Sequence, residues 1–221
     1  MNRCVRILSL LTLLGSGLFG CSTEVVEPDR ASLKIMPLAV GNRWIGRNLY
    51  YDTLGNNTII TQDTLEIISS VVINGEKWYV TNDSTRMINR SDGLWISDSA
   101  TSVGRLIAKH PASIGEVFSR RQQVFTYRDS VDRSETLNEG FLVVAVNFHL
   151  EFQDRAYNVT GYRVYRESLA GTELGINDSL WSDDVTYYAP LIGRVHSRYF
   201  ARSTHGQGAY RVWELLEARL Q

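Results

Sequence analysis

Cysteine is almost absent from this sequence. The 221 residues contain two, Cys4 and Cys21, and both lie near the N-terminus. The remainder of the chain offers no thiol for a disulfide framework, a thiol nucleophile or a Cys-ligated zinc site. An excess of one charge is lacking too, because 23 Lys plus Arg oppose 24 Asp plus Glu and the formal net charge is −1. This balance argues against nucleic-acid binding.

Motifs for catalysis or nucleotide binding are also missing. There is no Gly-x-Ser-x-Gly elbow, phosphate loop or Gly-x-Gly-x-x-Gly fingerprint. Neither the four-residue helical spacing nor the two-residue strand spacing of a zinc site occurs among the histidines, which are His110, His149, His196 and His205. The carboxylates with any claim to a glycosidase role are Glu167 and the adjacent pair Asp183 and Asp184, and adjacent strand residues point to opposite faces. We therefore expect no cofactor, no metal site and no enzymatic activity.

The N-terminus has the pattern of a secretory signal. Arg3 and Arg6 precede an uncharged run over 7–19, which Gly20 and Cys21 follow. As a helix, this run would cover only about 20 Å of a hydrocarbon core about 30 Å thick. We expect a signal peptide rather than a membrane span.

The run Leu18-Phe19-Gly20-Cys21 resembles the lipobox of bacterial lipoproteins. The resemblance implies cleavage before Cys21 and acylation of this cysteine by chains such as palmitate. We expect a signal peptide over 1–20, a lipid-anchored tether over 21–36 and a β domain over 37–221, with the membrane as a partner through the anchor. The alternative is a plain signal peptide with an incidental cysteine. Either reading indicates the cell envelope or periplasm, and Ser22 after the cysteine favours the outer membrane.

Turn signals and apolar runs predict a β protein. Asn74-Gly75 and Asp92-Gly93 separate apolar runs, as in type I′ hairpins. About ten strands result, and we expect an all-β fold with at most minor helix: a single curved antiparallel sheet, half-barrel or open barrel. The segment 210–220 fits a short helix or a closing strand, and we favour the strand because a sheet edge must be covered.

Two further segments resemble a group of uncharacterised bacterial lipoproteins: Pro37-Leu38-Ala39-Val40-Gly41-Asn42-Arg43-Trp44 and Tyr187-Tyr188-Ala189-Pro190-Leu191-Ile192-Gly193-Arg194-Val195. The resemblance implies a curved sheet like that of the lipoprotein-localisation factors, whose concave face can shelter acyl chains, and it implies no activity. Structural roles suit Trp44 as a core aromatic and Pro190 and Gly193 as turn residues.

The candidate ligand-binding residues lie in the same region. No acid occurs from Val185 to Trp213, whereas arginines and histidines recur there. Strand spacing predicts one face for Arg194, His196 and Arg198, where they could meet an anionic envelope group, with Tyr187 and Tyr188 nearby. The alternative is a solvated face paired across strands with Glu151, Asp154 or Glu167.

We therefore expect a non-enzymatic envelope lipoprotein that binds a lipid-like or other apolar ligand in the concave face of its sheet. The alternative is a scaffold or assembly lipoprotein that binds an envelope protein without a ligand. An envelope hydrolase is the least favoured interpretation.

Overall fold

A single antiparallel sheet forms the protein in a computed structural model that describes residues 34–52, 54–97, 104–127, 133–167, 184–202 and 208–221. Within these ranges there is no helix, and the expected all-β curved sheet is confirmed. The segment 210–220 belongs to the last strand, as favoured. Cys21 and the expected signal peptide over 1–20 lie outside the described residues.

The described residues form twelve strands. They are β1 (Arg43–Tyr51), β2 (Asn57–Ile73), β3 (Glu76–Thr81), β4 (Arg86–Arg90), β5 (Gly93–Ser97), β6 (Arg105–Lys109), β7 (Val117–Tyr127), β8 (Arg133–Phe152), β9 (Arg155–Glu167), β10 (Val185–Ala189), β11 (Gly193–Arg202) and β12 (Gly208–Arg219). The sequence predicted ten of them. It missed β6 and β10.

The strand order is β6-β5-β4-β3-β2-β1-β12-β11-β10-β9-β8-β7, so the first and last strands pair in the middle of the sheet. The two edge strands, β6 and β7, approach each other and nearly close the sheet into a barrel. The Ser119 hydroxyl of β7 donates a hydrogen bond to the Leu106 carbonyl of β6 at 2.7 Å. From β9, the Tyr162 hydroxyl donates to the Lys109 carbonyl. Side chains of β7 and β9 thus bond to the β6 edge across this seam.

Tight turns connect the hairpins. Asn74 and Gly75 take φ of 52° and 81° between β2 and β3, as the sequence indicates. Gln153 and Asp154, with φ of 50° and 58°, form the β8–β9 turn without a glycine.

The face of the sheet that curls inward carries the core. Tyr162 packs edge-on against Tyr188 at 5.9 Å between ring centroids. The guanidinium of Arg194 lies over the Trp213 ring, and that ring covers Gly46, where a Cβ would come within 2.2 Å of it. We call this the inner face, and Trp44, Trp213 and Leu215 on it are each 2% exposed. The concave side is therefore filled by the protein's own side chains along these strands.

Candidate functional site

A pocket of about 430 Å³ opens beside the turn between β10 and β11. Its wall is made of the segment after β6, a bulge in β8, the first half of β9 and the β10–β11 turn; the lining residues are His110, Pro111, Ala112, Val146, Asn147, Ala156, Tyr157, Asn158, Val159, Thr160, Ala189, Pro190 and Ile192. We call this the turn pocket. Its volume lies within the range of small-molecule sites, roughly 300–1,000 Å³.

The wall of the turn pocket is mainly apolar. Polar groups come from His110, Asn147, Asn158 and Thr160. Ala156 and Asn158 are exposed, whereas Val159 is 1% exposed and belongs to the core. A wall of this kind suits an apolar ligand oriented by a few hydrogen bonds.

The two segments noted for their resemblance contact each other beside this pocket. The Trp44 indole Nε1 donates to the Ile192 carbonyl at 2.5 Å, and the Leu191 amide donates to the Lys34 carbonyl at 2.9 Å. Gly193 has φ of 103°, and a Cβ there would meet Met36 at 3.0 Å. Trp44 of β1 and the residues before β1 therefore brace the turn that carries Pro190.

A bulge separates the predicted ligand-binding residues onto two faces. Tyr187 pairs with His196, but Tyr188 pairs with Arg194, so Val195 is an extra residue in β11. Because one extra residue reverses the alternation of side chains, Arg194 shares the inner face with Tyr188. His196 lies on the opposite, outer face with Tyr187. The expectation that Arg194, His196 and Arg198 share one face is therefore wrong for Arg194, and a ligand-binding role for these residues stays a prediction.

His196 lies in an aromatic setting on the outer face. Its ring centroid is 5.7 Å from that of Phe152 and 5.8 Å from that of Tyr187, and its Nδ1 is buried without a hydrogen-bond partner. Burial lowers the pKa of His196, and Arg198 adds to this, while Glu214 opposes it. His196 pairs across the sheet with Glu214 of β12. On the outer face, Phe152 and Tyr187 thus form an aromatic cluster around the His196 imidazole, which resists protonation.

The acids expected as cross-strand partners of Arg194, His196 and Arg198 do not lie opposite β11. In the strand order, β11 lies between β10 and β12 and does not pair with the strands that carry Glu151 and Glu167. Glu151 contacts His149 at 2.9 Å, and Glu167 accepts a hydrogen bond from the Tyr165 hydroxyl at 2.8 Å. Asp154 lies in the β8–β9 turn. The partners named in that alternative are therefore wrong, because β11 pairs with β10 and β12; a solvated role for these residues stays a prediction.

Tyr188 and Arg194 belong to a cluster on the inner face that also contains Trp213 and Asp63. Burial raises the pKa of Tyr188 to about 12, although nearby Arg194 opposes this. The Arg194 Cζ lies 3.9 Å from the Trp213 ring centroid, and Trp213 Nε1 donates to Asp63 Oδ1 at 2.7 Å. A phenol with so high a pKa stays protonated at neutral pH.

Metal-binding groups do not assemble in the part of the chain that the structure describes: no three His, Cys, Asp or Glu residues lie together there. Asp183 and His205 lie outside the described residues. Helices suited to crossing a membrane are likewise lacking among the described residues.

Comparisons with known proteins give two solved structures. One is a candidate exported protein with a YmcC-like fold from Bacteroides fragilis NCTC 9343, 11% identical, covering 85% of this chain and 99% of its own, with a TM-score of 0.47. The other is a candidate lipoprotein from Parabacteroides distasonis ATCC 8503, with the same identity and coverage and a TM-score of 0.44. No family model matches the sequence, and no curated protein matches it.

The structure thus defines an all-β domain in which one twelve-stranded sheet wraps a packed inner face and leaves a small apolar pocket at a braced turn. Sequence reasoning found the turn through Pro190 but missed the other wall of the pocket. The available signal was Pro111, because a proline followed by Gly115 breaks the chain before β7.

Proposed function

We propose that this protein is a non-enzymatic lipoprotein of the cell envelope that binds a small, mainly apolar ligand in the turn pocket. The observation that carries the proposal is the apolar pocket of about 430 Å³ beside a turn braced by Trp44. The packed inner face argues against a ligand lying along the whole concavity. The turn pocket is a concave, mainly apolar surface that remains accessible.

The proposed location of the protein in the cell rests on the sequence. The basic residues Arg3 and Arg6, the short apolar run and the lipobox-like end at Cys21 support export and acylation, and Ser22 supports the outer membrane. Two or three acyl chains hold a protein on a bilayer nearly permanently. Cys21→Ala should therefore move the protein from the membrane fraction to the soluble fraction, and continued retention would contradict the anchor.

The ligand is tested with a secreted Cys21→Ser chain, purified gently and weighed by native mass spectrometry. We expect an excess mass that disappears after organic extraction. Ala156→Trp should abolish it, because Ala156 is exposed within the pocket wall. Gln122→Trp, at an exposed position of β7 outside the pocket, is the matched control and should retain it.

A clean mass for the parent chain, repeated after incubation with envelope lipids, would refute the ligand. It would favour the alternative of a scaffold that binds an envelope protein. One observation supports that alternative: β2 exposes several large apolar side chains, namely Ile60, Ile68, Val71 and Val72. Such a run on one strand is a candidate contact surface.

A further inference from the structure

Two arginines on the inner face share one tyrosine. Arg194 of β11 places its Nη1 3.5 Å from the Tyr199 hydroxyl, while the Cζ of Arg211 of β12 lies 4.7 Å from the centroid of the same ring. Tyr199 and Arg211 are direct cross-strand partners. Arg194 is also fixed over the Trp213 ring at 3.9 Å. Aromatic rings from two adjacent strands thus hold both guanidiniums.

The charges of these two guanidiniums are met differently from those of the arginines that form close ion pairs. Arg47 has Glu214 at 2.7 Å, and Arg90 has Glu76 at 2.6 Å. Among the described residues, no carboxylate lies within 4.0 Å of Arg194 or Arg211. Asp63 is an acid beside this cluster: its Oδ1 accepts a hydrogen bond from Nε1 of Trp213, the ring over which Arg194 lies. This carboxylate is therefore already engaged.

Arg194 directs Nη1 towards the Tyr199 hydroxyl, and because a guanidinium has five N–H donors, both arginines keep donors for a further acceptor. A guanidinium stacked on a ring uses its flat face, whereas its N–H donors point outward in the plane. Arginine recognises phosphate through parallel N–H···O bonds from this edge. A carboxylate of charge −1 is satisfied by one arginine, but a phosphate group carries about −1.5 to −2 near neutral pH and suits two.

We propose that Arg194 and Arg211, with the Tyr199 hydroxyl as a further donor, bind a phosphate group, either free phosphate or the phosphate of a lipid headgroup. The site lies on the inner face between β11 and β12. It is independent of the turn pocket and of the ligand proposed for that pocket.

The test is calorimetric titration of the secreted Cys21→Ser chain with inorganic phosphate at low ionic strength. We expect saturable binding by the parent chain. Arg194→Gln and Arg211→Gln should each weaken it at least about tenfold, the factor for one lost charge-assisted hydrogen bond. Arg198→Gln is the matched control, because Arg198 also lies over a ring, that of Tyr210 at 5.0 Å, but on the outer face. It should change binding by less than about twofold.

Vesicles distinguish the two sources of phosphate. Binding to vesicles containing phosphatidylglycerol, but not to pure phosphatidylcholine, with the same dependence on Arg194 and Arg211, would assign a lipid headgroup. Saturable binding of inorganic phosphate without vesicle binding would assign free phosphate. The proposal is overturned if the parent chain binds neither, an outcome that does not depend on any variant folding. It is also overturned if Arg198→Gln weakens binding as much as the inner-face variants do.

Discussion

Glu139 is the residue whose loss should destabilise the fold most for a single change of charge. Its side chain is 9% exposed and meets three arginines: Arg105 at 3.2 Å, Arg121 at 3.4 Å and Arg166 at 3.0 Å. These side chains come from β6, β7 and β9, while Glu139 belongs to β8. One carboxylate therefore links strands on both sides of the seam between β6 and β7.

The substitution Glu139→Gln removes the negative charge and leaves three guanidiniums close together. Burial already lowers the pKa of Arg105, and the charge of Arg121 adds to this, whereas Glu139 opposes both. Removing one partner of a buried ion pair costs about 3–5 kcal/mol, because the remaining charge is uncompensated. For a chain of this size, each kcal/mol shifts the melting temperature by roughly 2–4 °C, so a fall of about 6–20 °C is expected.

Thermal and urea unfolding of the secreted Cys21→Ser chain would measure this loss. Glu76→Gln is the matched control, since Glu76 makes two hydrogen bonds to Arg90, at 2.8 and 2.6 Å, with 40% of its side chain exposed. Solvent screens such a pair, so the control should melt close to the parent. Adding Arg105→Gln to Glu139→Gln should restore part of the stability. If Glu139→Gln melts no lower than Glu76→Gln, the reasoning from buried charge is refuted.

Three further predictions concern packing and pH. Gly46→Ala should cost about 1–3 kcal/mol of unfolding free energy, because its Cβ would lie 2.2 Å from the buried Trp213 ring; unchanged urea unfolding would contradict that packing. Trp44→Phe should cost at least about 1–3 kcal/mol in the same assay, since the Ile192 carbonyl loses its indole donor, and a neutral variant would show that the brace contributes nothing. Folding lowers the pKa of His196. Below about pH 6.5, His196 therefore binds a proton more readily in the unfolded chain than in the folded one, and the free energy of unfolding falls as the pH falls. Unfolding free energies measured from about pH 7.5 to 5.5 should decline less for His196→Gln than for the parent, and equal slopes would contradict the shift.

Local turn chemistry made most of the strands predictable. Asn74-Gly75 marks its hairpin because both residues adopt positive φ, which is costly for most other residues. The β8–β9 turn has no such signal, since Gln153 and Asp154 adopt positive φ without glycine. β10 was missed because it has only five residues and Pro190 follows it directly, so the motif around Pro190 indicated a turn and no strand before it.

The candidate sites were less predictable because they depend on register and strand order. Strict alternation placed Arg194 with His196, and the extra residue Val195 reverses this. No local pattern marks such a bulge. Contacts between distant segments were also hidden: Trp44 reaches Ile192, and Glu139 reaches Arg105, only because β1 and β12 pair and the sheet curls.

The central pairing of β1 with β12 has a consequence for how the chain reaches its final form. Strands β1–β6 and β7–β12 are two hairpin series, each built from neighbours in sequence, and the ladder between β1 and β12 must await the synthesis of β12. The amide of Gln221 lies 2.8 Å from Asn42 Oδ1, so the residue that follows β12 lies beside the start of β1. A circular permutant that joins these ends and opens the chain between β6 and β7 would place every pair of neighbouring strands consecutively along the chain. Lower contact order accelerates folding, so this rearranged chain should fold faster than the natural one into the same sheet.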